Sequence, residues 1–205
     1  MEERRVSMVL FDGFELLDVF GPLEVFATAG VPVTIVGPPQ VAGGAGVRVV
    51  SDVGYADAAA PDVVVVPGGP GTRALASDAA WLGWLAGWAA PARLVASVCT
   101  GSALLAAAGL LNGRRATSNL RAFDWASGHG RDVEWVRGPR WVEDGDRWTS
   151  AGVSAGIDMA LALVGALCGP DVARDAAVRM EYDWRGGPVD EPIWDELDDR
   201  VRTGG

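Results

Sequence analysis

Short runs of β-branched residues alternate along this chain with longer segments rich in alanine and leucine. Such alternation is typical of βα units built on a mostly parallel sheet. The β-branched runs predict strands over residues 5–11, 32–36, 62–66 and 93–98. The run DVVVV at residues 62–66 is apolar enough to be a central strand that is buried on both faces.

The segments between these runs predict helices over residues 18–29, 77–90, 101–111, 154–168 and 171–182. In the second of these helices, Trp81, Trp84 and Trp88 recur on spacings that suit an amphipathic face, which favours a role in the core or an interface over a ligand cage. Residues 47–51 predict one arm of a small hairpin. The dipeptide Asp144-Gly145 predicts the turn of another hairpin within residues 141–149.

Length and composition favour one domain. Of the 205 residues 49% are hydrophobic, which is enough for a substantial core in a chain of this size. We therefore predict a single α/β domain over residues 1–183, followed by a C-terminal extension over residues 184–205. The extension is rich in Gly, Pro, Asp and Glu, and at most a short helix is expected around residues 193–201.

The formal net charge of -10 argues against nucleic-acid and anionic-membrane partners, because both require clustered Lys and Arg. The sequence has no stretch of the roughly 20 apolar residues that a membrane span requires. Its first residues, MEERRVSMVLF, are acidic where a signal peptide requires a basic region. These features predict a cytoplasmic protein. Two cysteines cannot form a disulfide framework, so Cys99 and Cys168 are expected to be free thiols.

Cys99 lies directly between a predicted strand and a predicted helix. A thiol at a helix N-terminus faces unpaired N–H groups and the positive end of the helix dipole, which both favour the thiolate. The small residues around Cys99 allow a tight turn like a nucleophile elbow, in which the N–H of Thr100 points at charge developing on a substrate. We therefore predict a reactive cysteine, with a packed core cysteine as the alternative. Cys168 is expected to be a small buried thiol.

A cysteine nucleophile needs a group that accepts and returns its proton. The only histidine of the sequence, His129, lies in a small, polar stretch typical of an exposed loop, so a Cys-His triad is not expected. Asp18 lies between apolar residues at the start of the first helix, where a carboxyl group stays partly protonated. Asp18 is the predicted acid/base, although it also suits a helix cap and Glu24 is an alternative. With one histidine and two distant cysteines, no metal and no cofactor are expected.

The run PGGPG at residues 67–71 follows the predicted central strand. Glycines let backbone amides approach a ligand closely, and parallel-sheet proteins bind ligands at the carboxyl ends of their strands. The run fits neither a Walker loop nor a dinucleotide fingerprint. Gly68 and Gly69 are therefore predicted to line the site around Cys99, and the Gly69 amide is predicted to be a second oxyanion donor.

Four segments carry a resemblance to a known family: LLDVFGPLEVF around Asp18, the strand and PGG that end at Gly69, SVCTGSALLAAAGLLNGRRAT at residues 97–117, and SAGIDMALALV at residues 154–164. In this order they resemble the ThiJ/PfpI superfamily over nearly the whole chain. The resemblance implies a class I glutamine amidotransferase-like (flavodoxin-like) sandwich, with helices on both faces of a mostly parallel sheet. It also implies a homodimer and a nucleophilic cysteine at the elbow.

Within the superfamily, the chain is most similar to the isonitrile hydratase branch, where aspartate replaces the glutamate of deglycase-like members. The residues MEYD at 180–183 also resemble that branch. The resemblance implies that Cys99 is the nucleophile, Asp18 the acid/base and Thr100 a supporting contact. The expected reaction hydrates a small isonitrile to an N-substituted formamide through a cysteine thioimidate.

Asn119 marks a departure from the branch, which typically reads Ala-Thr-Thr-His-Trp where this chain has ATSNL at residues 116–120. An asparagine side chain donates and accepts hydrogen bonds but carries no titratable proton. Asn119 and Phe20 are predicted to contact the substrate, Phe20 as part of an apolar mouth. Two alternatives stay open: glyoxalase- or deglycase-like hydration of a reactive carbonyl, and a non-catalytic redox-sensing or ligand-binding role.

Overall fold

The structure is a computed structural model that describes residues 5–184. Apart from Trp184, the predicted C-terminal extension and its short helix lie outside the described residues. In chain order the elements are β1 (Val6–Val9), α1 (Leu16–Thr28), β2 (Val33–Val36), β3 (Gln40–Ala42), β4 (Arg48–Val50), β5 (Val63–Val66), α2 (Thr72–Leu75), α3 (Ala79–Ala89), β6 (Leu94–Val98), α4 (Gly101–Ala107), β7 (Arg115–Ala116), α5 (Phe123–Ala126), β8 (Glu134–Trp135), β9 (Trp141–Asp144), β10 (Arg147–Ser150), α6 (Ala155–Cys168) and α7 (Pro170–Arg179).

The main sheet has six strands in the order β2-β1-β5-β6-β10-β9. All neighbouring strands in it run parallel except β9 and β10, which form an antiparallel pair around the predicted Asp144-Gly145 turn. After β1 the chain first adds β2 on one side and then crosses to β5 on the other. The strand order therefore reverses between β1 and β5, and ligands bind at such switch points, beyond the carboxyl ends of the strands.

Helices cover both faces of the main sheet, as the predicted sandwich requires. One group packs α1 against α6 and α6 against α7, and the other packs α2 and α3 against α4. Every residue of β5 and β6 is buried, in agreement with the predicted central strand. The predicted small hairpin is the antiparallel pair β3–β4. None of the described helices is both long and apolar enough to cross a membrane.

Some element ends differ from the prediction. Helix α1 begins at Leu16, two residues before the expected start, so Asp18 lies inside its first turn. Helix α4 ends at Ala107 instead of residue 111. There Gly109 has a positive φ of 78°, its N–H donates to the Ala106 carbonyl, and the Leu110 N–H donates to the Leu105 carbonyl. This is a Schellman motif, and the left-handed glycine stops the helix.

Candidate active site

Cys99 occupies a strained turn between β6 and α4. Its φ is 58°, in the left-handed region that residues other than glycine seldom adopt. The Cys99 N–H donates to the carbonyl of Ser150 at 3.1 Å. The Cys99 carbonyl accepts hydrogen bonds from the hydroxyl groups of Ser102 at 3.0 Å and Ser118 at 3.1 Å. Three separate segments thus fix this backbone, and strain held in this way is characteristic of functional sites.

A second strained residue, Val153, lies beside the thiol. Its φ of 47° is rare for a β-branched side chain. The backbone N–H groups of Val153 and Thr100 both hydrogen-bond the sulfur of Cys99 and lower the pKa of the thiol. The Thr100 N–H, which was predicted to point at charge on a substrate, here donates to the sulfur. The Val153 donor was not predicted, because its unusual backbone conformation has no signature in the sequence.

Asp18 lies on the buried side of α1 and is fully inaccessible to solvent. Its Oδ2 accepts a hydrogen bond from the Gly68 N–H at 2.9 Å. Its Oδ1 has no hydrogen-bond partner among the described residues. The neighbouring Cys99 thiol also hydrogen-bonds the carboxyl group. Asp18 is therefore not the cap of α1, which was the alternative interpretation. The structure instead brings it to Cys99.

Burial raises the pKa of Asp18 from 3.8 to about 7. The hydrogen bond from the Gly68 N–H opposes this shift, the negative charge of Glu15 adds to it, and the hydrogen bond with Cys99 lowers the pKa slightly. A carboxyl group in this environment exchanges its proton near neutral pH, which suits a general acid/base. The partial protonation predicted for Asp18 thus has desolvation as its main cause.

The thiol of Cys99 does not behave as the sequence predicted. Burial, followed by the negative charge of Asp18, raises its pKa from 9.0 to about 12. The two backbone N–H groups favour the thiolate, as expected at this turn, but their effect is smaller than that of burial and the neighbouring carboxylate. The resting group is therefore a neutral thiol next to a base, and not a stable thiolate.

The glycine-rich run brings the loop after β5 against both Asp18 and Thr100. A Cβ added to Gly68 would lie 2.6 Å from the Thr100 nitrogen and 2.9 Å from Asp18 Oδ2, so only glycine fits there. The Gly69 N–H donates to Thr100 Oγ1 at 3.0 Å. The Gly69 amide, predicted to be an oxyanion donor, is thus already hydrogen-bonded, and the donors to the Cys99 sulfur are the amides of Thr100 and Val153.

A cavity of about 350 Å³ opens above the thiol. This volume is within the range of small-molecule sites. Its lining residues come from the loops at the carboxyl ends of several strands: Glu15, Gly69, Pro70, Arg73, Cys99, Thr100, Asn119 and Val153. Glu15 and Arg73 were not predicted to lie here. A sequence signal for Arg73 is its position four residues after Gly69, in the helix that follows the glycine-rich run.

Asn119 lines the cavity, but its side chain has a structural role as well. Its Oδ1 accepts a hydrogen bond from the Ala122 N–H at 3.2 Å and so caps a short 3₁₀ helix. Phe20 does not line this cavity; its half-exposed ring packs edge-on against Phe14, with the ring centroids 6.4 Å apart. His129 packs against Trp125 and also lies outside the lining. Within residues 5–184, no three His, Cys, Asp or Glu side chains form a group that could hold a metal ion.

The fold and the site together define an α/β protein with a buried Cys-Asp pair at a strand-to-helix turn, on the ligand-binding edge of a parallel sheet. Residues 4–166 match the model of the DJ-1/PfpI family. The chain belongs to the DJ-1/PfpI family, which confirms the resemblance to the ThiJ/PfpI superfamily that its motifs carry.

Individual relatives agree with this assignment. Isonitrile hydratase from Pseudomonas putida is 37% identical over 181 residues, which cover 87% of this chain and 78% of the relative. The Parkinson disease protein 7 homolog of Danio rerio is 30% identical over 182 residues, or 84% of this chain and 94% of that protein. Among solved structures, a ThiJ/PfpI family protein from Pseudomonas syringae superposes with a TM-score of 0.83 at 31% identity, covering 99% of this chain and 88% of the other.

Proposed function

We propose that this protein is an isonitrile hydratase, which adds water to R–N≡C to give the formamide R–NH–CHO. The observation that carries the proposal is the buried pair of Asp18, with a pKa of about 7, and the neutral thiol of Cys99 beneath a small cavity. The 37% identity to the isonitrile hydratase of Pseudomonas putida supports the choice of substrate class.

The first step forms a covalent thioimidate. Ionised Asp18 removes the proton of the Cys99 thiol while the sulfur attacks the terminal carbon of the isonitrile. Asp18 then delivers that proton to the same carbon, which gives R–N=CH–S–Cys99. One S–H bond breaks, and one C–S bond and one C–H bond form. The N–H groups of Thr100 and Val153 stabilise the negative charge that develops on sulfur.

The second step releases the product. Asp18, again ionised, accepts a proton from a water molecule as the water oxygen attacks the thioimidate carbon, and then passes that proton to the imine nitrogen. Asp18 then removes the hydroxyl proton of the tetrahedral intermediate as its C–S bond breaks, and it returns this proton to the sulfur. The formamide leaves, and Cys99 and Asp18 return to their resting states, so the net reaction consumes one isonitrile and one water.

Formamide production from cyclohexyl isonitrile tests the proposal. We expect Cys99→Ala to reduce the rate to that of the uncatalysed reaction, and Asp18→Asn to lower it by about 100- to 10,000-fold, the usual contribution of a general acid/base. The matched control is Cys168→Ala, which removes the second thiol at the end of α6 and is expected to keep the full rate.

The same assay separates the alternatives. A folded protein that makes no formamide from either uncharged or carboxylate-bearing isonitriles contradicts the proposal. If that protein consumes methylglyoxal and the Cys99→Ala variant does not, the site hydrates reactive carbonyls. If neither substrate is turned over but Cys99 oxidises readily to the sulfinic acid, a redox-sensing role replaces both enzyme assignments.

A further inference from the structure

Arg73 is a positively charged residue in the wall of the Cys99 cavity. It lies in the short helix α2, directly after the glycine-rich run. Its guanidinium carbon lies 3.5 Å from the centroid of the Trp125 ring. A guanidinium stacked on an indole in this way is held in place and keeps its N–H edge available for hydrogen bonds.

The ion pairs found within residues 5–184 do not include Arg73. Its charge nevertheless acts on the neighbourhood, because together with burial it lowers the pKa of His129. Six other arginines of the described chain pair with an Asp or Glu, whereas Arg73 lines the cavity without a carboxylate partner. Its natural partner is a planar anion, which a guanidinium binds with two parallel hydrogen bonds.

The charges around the cavity give a bound anion one orientation. Glu15 also lines the cavity and Asp18 lies beneath it, so a carboxylate is repelled from that side and attracted to Arg73. The uncharged end of the same molecule is then left to face Cys99. For an isonitrile, the uncharged end is the terminal carbon that the thiol attacks.

We propose that Arg73 makes this site selective for substrates that carry a carboxylate, so that the substrate class is the isocyano carboxylic acids. This inference rests on the proposed hydratase function. The volume of about 350 Å³ accommodates a compact molecule of this class, such as isocyanoacetate. Arg73 binds the carboxylate of the substrate, and Cys99 and Asp18 act on the isonitrile group.

Two substrates and two variants test the role of Arg73 in turnover. With isocyanoacetate, we expect Arg73→Gln to lower kcat/KM by about 10- to 100-fold through a higher KM, the usual loss for a charge-assisted hydrogen bond. With uncharged cyclohexyl isonitrile, the change is expected to stay below about 3-fold, because no bond to Arg73 is lost. The control Arg93→Gln removes an exposed arginine outside the cavity and is expected to leave both substrates unaffected. An equal loss for both substrates overturns the proposal.

A second measurement does not depend on hydratase activity. Iodoacetate and iodoacetamide alkylate the same thiol, but only iodoacetate carries a carboxylate. We expect Arg73→Gln to lower the ratio of the iodoacetate rate to the iodoacetamide rate at Cys99 by about 5-fold or more, and to leave the ratio at Cys168 unchanged. An unchanged ratio at Cys99 refutes carboxylate binding by Arg73, even if the protein hydrates isonitriles. A lowered ratio in a protein without hydratase activity supports the anion site and rejects the hydratase assignment alone.

Discussion

Burial moves the ionisation of both Asp18 and Cys99 to higher pH. At neutral pH the Cys99 thiol keeps its proton, while the Asp18 carboxyl group is partly ionised. The thiolate is the form of cysteine that reacts with oxidants and electrophiles. A neutral thiol therefore stays unreactive until a substrate lies in the cavity beside the base. Redox-sensor cysteines usually have a lowered pKa and solvent access, so the environment of Cys99 favours catalysis over sensing.

The pKa of Asp18 predicts how activity depends on pH. Since ionised Asp18 accepts the thiol proton, kcat/KM for cyclohexyl isonitrile is expected to rise with pH, to pass an inflection near pH 7 and to level off above it. A pH-rate profile from pH 5 to 9 measures this inflection. In the Asp18→Asn variant the residual rate is expected to lack it, because the titrating group has been removed. An inflection that persists near pH 7 in that variant assigns the titration to another group.

Four residues that the sequence singled out are brought together by the structure: Asp18, Gly68, Cys99 and Thr100 are in contact around the thiol. They were found because a short motif surrounds each of them. Arg73 and Val153 were missed for a different reason. Arg73 reaches the cavity through its contact with Trp125, and Val153 through a positive φ, and both depend on how distant segments pack.

At the scale of the elements, the loop after β5 determines the distance between Asp18 and Thr100. We expect Gly68→Ala to lower activity by about 100-fold or more, because the added methyl group would lie under 3 Å from Thr100 and Asp18, within their van der Waals contact distance. The free energy of unfolding is expected to fall by about 1–3 kcal/mol, as for other overpacked sites. Formamide production and urea unfolding measure the two effects.

Gly83→Ala is the matched control for this substitution. Gly83 lies inside α3, and a Cβ there would meet nothing within 4 Å. The variant is expected to keep full activity and to gain about 0.5–1 kcal/mol of stability, because alanine is the better helix former. If Gly68→Ala retains the activity of wild type while folding normally, the close approach of the loop is not required for catalysis.

The order and type of the long elements could be predicted because their hydrophobic patterns are strong. The two-residue strands β7 and β8 were missed, since so short a pair carries no periodicity. Helix ends were predicted less accurately than helix positions. The start of α1 has no side-chain cap to mark it in the sequence, and the end of α4 depends on the left-handed conformation of Gly109. The start of α3 was better marked, because Asp78 caps it with hydrogen bonds from the N–H groups of Ala80 and Trp81.

At the scale of the whole molecule, the strand order explains why a buried acid is tolerated. The reversal between β1 and β5 opens the crevice in which Asp18, the glycine-rich run and Cys99 meet. Asp18 is therefore enclosed by the loops that form the site. Enclosing a carboxyl group in this way has a cost in stability, since desolvation disfavours its charged form. The cost depends on pH and can be measured.

The pKa of Asp18 is about 7 in the folded protein, against 3.8 for an ordinary aspartate. Between these values the folded state holds a proton that the unfolded state has released, so wild type loses stability as the pH rises from about 4 to 7 and loses no more above that. The loss amounts to about 4 kcal/mol at 1.36 kcal/mol for each pKa unit. Asp18→Asn removes this dependence.

Urea unfolding at pH 4 and pH 8 tests this expectation. The stability of Asp18→Asn relative to wild type is expected to be higher at pH 8 than at pH 4 by about 4 kcal/mol, whatever constant cost the buried amide adds. The control is Asp78→Asn, which changes an exposed carboxyl group and is expected to show no comparable gain. A relative stability of Asp18→Asn that is equal at the two pH values contradicts the raised pKa. It also removes the physical basis for Asp18 as the acid/base of the proposed reaction.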